Sequence, residues 1–153
     1  MGVDIMNLIH SLCISIERLN RLPKWKIISR KKEIKNFNSL KDEFFKLNVF
    51  DLADYIISYI VSLPEEIMNN IKYCNYNKAH MCIYLTCSSD NKAYNIDYCP
   101  TTHRFQISNL ETSYSIYKDY KPIMKHVRDM WDSIEDDFKN KCFDMIIRTA
   151  ELL

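Results

Sequence analysis

Residues 79–108 read "AHMCIYLTCSSDNKAYNIDYCPTTHRFQIS". In the first part, Met81, Ile83, Leu85 and Cys87 alternate with His80, Cys82, Tyr84 and Thr86, the period of two that a β-strand imposes on its side chains. "SSDNK" has turn composition, after which Tyr94, Ile96 and Tyr98 alternate with Asn95, Asp97 and Cys99. "PTT" turns the chain again, and His103, Phe105 and Ile107 fall together on one face. Three short strands joined by tight turns predict a three-stranded antiparallel meander over about 79–108.

On both sides of this stretch the apolar spacing changes to three and four. Ile5, Leu8, Ile9, Leu12, Cys13, Ile16 and Leu19 form one amphipathic helix stripe over 3–20, which Pro23 ends. "RLNRLPKWKIISRKKEIK", residues 18–35, reads as a short strand or an irregular arm. Ser39, followed three residues on by Asp42, marks the start of a short helix in the manner of a capping box. Asp51 opens the next helix, "LADYIISYIVS", and Pro64 starts a short helical turn through Ile71. A polar, tyrosine-rich connector leads to Pro122, a first-turn proline. From there Ile123, Val127, Met130, Trp131, Ile134, Phe138, Cys142, Met145, Ile146 and Ala150 keep helical spacing, with an interruption expected near Asn140 and with Trp131 and Phe138 expected in the core.

The expected fold is therefore α+β: a helical N-terminal half, the meander, and a long C-terminal helix packed on the sheet. No repeat or linker divides the chain, so residues 1–153 are expected to form a single globular domain. No apolar run approaches the roughly 18 residues of a membrane span, and "MGVDIMNLIH" has neither a basic leader region nor Ser or Thr at position 6 for myristoylation. The expectation is a soluble, cytoplasmic chain with no membrane partner.

A single glycine, Gly2, excludes many function classes. Phosphate-cradling loops, dinucleotide fingerprints and nucleophile elbows use glycine for positive φ or for close approach of the backbone to a ligand. None can be built from this chain, and the expectation is a non-enzymatic protein without a cofactor.

The cysteines and histidines are the next candidates. Cys74, His80, Cys82, Cys87, Cys99 and His103 lie within a short span but contain no C-x-x-C, the paired spacing typical of zinc sites. Alternation puts His80 and Cys82 on one face and Cys87 on the other, so Cys82 and Cys99 with His80 supply three ligands at most, and no metal is expected. Cys99 and His103 flank a turn, but no helix N-terminus or glycine loop is present there to support a nucleophile. His10 and His126 read as helix-surface residues. Cys13 and Cys142 sit on helical apolar faces, so reduced, independent thiols are expected rather than a disulfide framework.

Charge singles out one region. Residues 18–35 hold eight basic side chains against Glu33 alone, and residues 1–50 carry a net +5 where the remainder carries −4. Consecutive cations Arg30, Lys31 and Lys32 cannot all point inward, so at least two should meet solvent or a partner, with Trp25 beside them. Replacing all three with Glu is expected to leave the melting temperature nearly unchanged. Tyr114, Tyr117 and Tyr120 in the polar connector add side chains of the kind favoured at protein interfaces. The leading expectation is an interaction protein whose partner is a protein, with an acidic surface as one form of it. The alternative is a nucleic-acid binder using residues 18–35. Enrichment in Lys, Asn, Ile and Tyr reflects AT-rich codons and points to a virus, a phage, or an AT-rich bacterium or parasite; for a viral or phage chain the expectation is a modulator or inhibitor of host machinery.

Overall fold

The computed structural model describes residues 4–68, 74–77, 82–89, 92–99, 102, 104–108, 113–117 and 124–152; for part of the strands and of the last helix it describes the backbone alone. The first helix, α1 (Ile5–Arg21), starts at Asp4, whose carboxylate accepts from the Asn7 backbone N–H at 3.2 Å. Its buried face is Leu8, Ile9, Leu12 and Ile16 of the predicted stripe together with Ser15, while Ile5, Cys13 and Leu19 of that stripe are half-buried.

The second helix corrects two expectations. Residues 18–35 form no strand or loose arm, and no helix begins at Ser39: α2 runs unbroken from Ile27 to Phe45. No glycine or proline interrupts it, and Lys, Arg, Glu, Leu and Phe all tolerate helix. Ser39 and Asp42 therefore lie within a helix on exposed positions. The side chain that caps a following helix is Asn48, whose Oδ1 accepts from the N–H of Phe50 at 2.9 Å and of Asp51 at 3.3 Å, so α3 spans Val49–Ser62. The short α4 (Glu65–Met68) follows Pro64.

The sheet also differs from expectation. It has five antiparallel strands in sequential order: β1 (Cys74–Asn77), β2 (Cys82–Ser89), β3 (Lys92–Cys99), β4 (Arg104–Ser108) and β5 (Ser113–Tyr117). The expected three are the central ones. β1 and β5 are the two edges; "CNYN" has only four residues, and "SYSIY" lies in a polar stretch that read as a connector. The faces of β3 and β4 follow the predicted alternation: Ile96, Tyr98, Phe105 and Ile107 are buried, while Arg104 and Gln106 are exposed. In register, Ile96 stands opposite Ile107 and Tyr98 opposite Phe105.

The last helix, α5 (Met124–Leu152), is continuous, so Asn140 marks no break; it is an exposed position on the helix surface. Ile134, Phe138, Cys142, Met145 and Ile146 are buried. Phe138 packs edge-on against Phe105 at 5.8 Å between centroids, placing α5 on the sheet; the Trp131 side chain lies outside the described set. Phe105 also meets Phe50 of α3 at 4.9 Å and Tyr98 at 4.6 Å. Phe143 meets Phe44 at 5.3 Å, and the Lys139 ammonium donates to the Phe45 carbonyl at 3.0 Å, so α5 holds the C-terminal end of α2. One cluster of buried residues thus draws on α1, α2, α3, β3, β4 and α5.

Candidate partner-docking site

α1 and α2 pack on one another as a helical hairpin closed by residues 22–26. Its tip stands apart from the core: from Glu17 to Asn36, all of them described, no residue is buried or packed against the core cluster. α2 contributes only Phe44 to the fully buried set. Toward its C-terminal end Phe37, Leu40 and Phe45 pack partly buried against the core, so it is the first half of α2 that does not owe its position to a core.

Arg30 fixes the tip. Its guanidinium is half-buried and donates from Nη1 to the carbonyls of Leu19 at 3.1 Å and Leu22 at 2.9 Å, two of the acceptors left over at the C-terminal end of α1. It follows that Arg30 is not an open partner contact, and its exchange for Glu is not neutral: the group ties α2 to α1. Lys31 and Lys32 are exposed, as expected.

Around this tie lies the surface itself. Trp25 is 75% exposed, with the Lys26 ammonium 5.4 Å from its ring centroid. Ile27 and Ile28 are 60% and 85% exposed. Arg18, Arg21, Lys24, Lys26, Lys31, Lys32 and Lys35 are all exposed, and Arg21 pairs with Glu17 one turn earlier on the same helix. Such a solvated pair holds its partners loosely. A cleft of about 650 Å³ opens between the helices, and Arg18, Arg21, Lys26 and Lys32 all line it.

Sequence reasoning singled out Trp25 and the lysines but did not name Ile27 and Ile28 as surface groups, because the stretch read only as a short strand or an irregular arm. The signal available was their company: they precede four residues of which three are cations. Arg18 and Arg21 belonged to the basic 18–35 segment, and the hairpin sets them across a cleft from Lys26 and Lys32.

The other candidates lie elsewhere. Tyr114 and Tyr117 belong to the edge strand β5 and not to a connector, in register with Ile107 and Arg104 respectively; their side chains, and the whole of Tyr120, fall outside the described residues. Cys74 begins β1 and pairs in register with Leu85, Cys82 pairs with Asn77, Cys87 with Tyr94 and Cys99 with Arg104; His80 and His103 lie outside the described residues. Among the described residues no three His, Cys, Asp or Glu side chains come together as a metal site. Burial pushes the Cys13 thiol pKa up, as it does for Asp97, and raises Tyr59 to about 12. Burial also raises Glu135, against the opposing pull of the Lys139 charge. None of these groups lines the cleft.

No helix among the described residues is long and apolar enough to cross a membrane. No family model matches the chain, and no match was found among curated proteins or solved structures.

Proposed function

We propose that this chain is a non-enzymatic interaction protein that docks a protein partner with an acidic surface through the tip of the α1–α2 hairpin. The observation that carries the reading is the unburied stretch from Glu17 to Asn36, with Trp25, Ile27 and Ile28 exposed among seven exposed cations. Water covers large apolar side chains at a cost of about 25 cal/mol for each Å² of apolar area, and a partner that buries them recovers it. Cations ringing an apolar centre steer an oppositely charged surface and reject like-charged ones. A nucleic-acid strand is the runner-up, since Trp25 offers one stacking platform within a basic field. Ile27 and Ile28 favour the protein, because aliphatic side chains give no face on which bases stack. On the same reading, the AT-rich coding bias makes host machinery in the cytoplasm the place to look for the partner, with the chain as its modulator or inhibitor.

A photo-crosslinking amino acid at position 28 tests this, with one at position 140, an exposed site on α5, as control. In cells that express the chain naturally, position 28 should trap one protein and position 140 should not, and Lys31→Glu with Lys32→Glu should abolish the product. A product destroyed by nuclease would replace the protein partner with nucleic acid. Trapping from position 140 alone would overturn the reading.

A further inference from the structure

The cleft between the two helices narrows the chemistry of the partner, and this step rests on the docking surface just proposed. Arg18 and Arg21 lie three residues apart on one face of α1, and Lys26 and Lys32 face them from the entry to α2 and its second turn. Leu22 and Pro23 supply apolar lining between these cations. Glu33 is the one acidic group in the lining, and Asn36 donates to it at 3.4 Å. We infer that the cleft binds an acidic peptide segment of the partner, one in which aspartate or glutamate side chains alternate with aliphatic ones.

Each feature of that ligand answers a feature of the lining. Guanidinium groups pair with carboxylates through a planar fork, and ammonium groups act as point charges beside them. A volume of about 650 Å³ exceeds what a single carboxylate fills and suits a short run of peptide. Aliphatic side chains of the ligand would meet Leu22 and Pro23 inside the cleft and Ile27 and Ile28 beside it. A nucleic-acid strand offers bases to these positions, and the lining contains no aromatic ring to receive them. Nor does a second copy of this chain fit through the same face, because it would set seven exposed cations against seven more.

Fluorescence polarisation of the full chain with a labelled peptide alternating glutamate and leucine tests the inference. An alternating lysine–leucine peptide, the phosphoserine counterpart of the acidic peptide and an oligodeoxythymidine serve as competitors. The acidic peptide should bind, lose affinity as salt rises, and bind at least tenfold more weakly to the Arg18→Gln, Lys32→Gln double variant, equivalent to about 1.4 kcal/mol. Both positions are exposed, and circular dichroism checks that the variant keeps its helices; Lys26→Gln with Lys32→Gln is a second pair predicted to act in the same direction. Tighter binding of the oligonucleotide or the phosphopeptide than of the carboxylate peptide would overturn the inference. So would unchanged affinity in both double variants. If crosslinking from position 28 then persists in the Arg18→Gln, Lys32→Gln variant, the docking surface stands and only the cleft's role falls.

Discussion

Two regions of this chain treat their aromatic side chains in opposite ways. In the body, Phe105 has ring neighbours on three sides, Tyr98, Phe50 and Phe138, with centroids 4.6 to 5.8 Å away. At the hairpin tip, Trp25 is 75% exposed, with the Lys26 ammonium over its ring. The difference separates what holds the fold from what the fold presents. Body residues are constrained by volume and shape, because a close-packed interior registers the loss of single methylene groups. Tip residues carry no such constraint, and an exposed Trp–Lys–Ile–Ile run there is not explained by packing.

The sharpest way to break this comparison is to empty the body. Phe138 is buried and touches Phe105 across the α5–sheet contact, so Phe138→Ala removes a ring and leaves a cavity. Urea denaturation should show a loss of about 3–5 kcal/mol. A loss below about 1 kcal/mol would mean that α5 does not seat on the sheet as described.

A smaller effect is expected at a tyrosine hydroxyl that joins the sheet to a helix. The Tyr98 phenol donates to Asp54 Oδ1 at 2.7 Å, linking β3 to α3. Burial first, and then the Asp54 carboxylate beside it, hold its pKa well above that of an ordinary tyrosine. A raised pKa in the folded state means stability that is fully present below the unfolded value, about 10, and is lost as pH rises beyond it. Tyr98→Phe should cost about 1.5–3 kcal/mol at neutral pH, since the lost bond reaches a charged acceptor. The variant should also unfold less steeply than the parent chain above pH about 10, because it lacks the group that must ionise. Parallel pH profiles would place the alkaline sensitivity elsewhere.

How much of the molecule was legible in its sequence follows the same division. Wherever a residue faces the core, its periodicity survives in the sequence: the α1 stripe from Leu8 to Ile16 and the β3–β4 alternation of Ile96, Tyr98, Phe105 and Ile107 both predicted burial. α2 was misread although Phe37, Leu40 and Phe44 keep helical spacing toward the core, because its first half has no buried face and Ser39 with Asp42 mimicked a cap inside it. β1 and β5 were missed as edge strands, although Ile116, opposite Phe105 in register, sits in an alternating Ser-Tyr-Ser-Ile-Tyr run that carried the signal. The candidate site was half legible. Charge and Trp25 marked the right stretch, but sequence alone treats Arg30, Lys31 and Lys32 as equals, and only the hairpin shows that the first is a structural tie.

That distinction supplies the smallest and most discriminating expectation. Arg30 donates to two carbonyls at the end of α1, whereas Lys31 and Lys32 make no side-chain hydrogen bond or ion pair among the described residues. Arg30→Gln should therefore cost about 1 kcal/mol, limited because water reaches a half-buried site and can replace part of what the guanidinium gave. Lys31→Gln and Lys32→Gln should each stay within about 0.5 kcal/mol of the parent chain. Because the tip has no core of its own, the Arg30 effect should appear as faster amide exchange over residues 19–30 before it appears in global unfolding. A Lys32→Gln cost as large as that of Arg30→Gln would show that the tip leans on internal charge pairing. In that case its lysines are held for stability, and the contrast between a packed body and a presenting tip fails at the residues where it is drawn most finely.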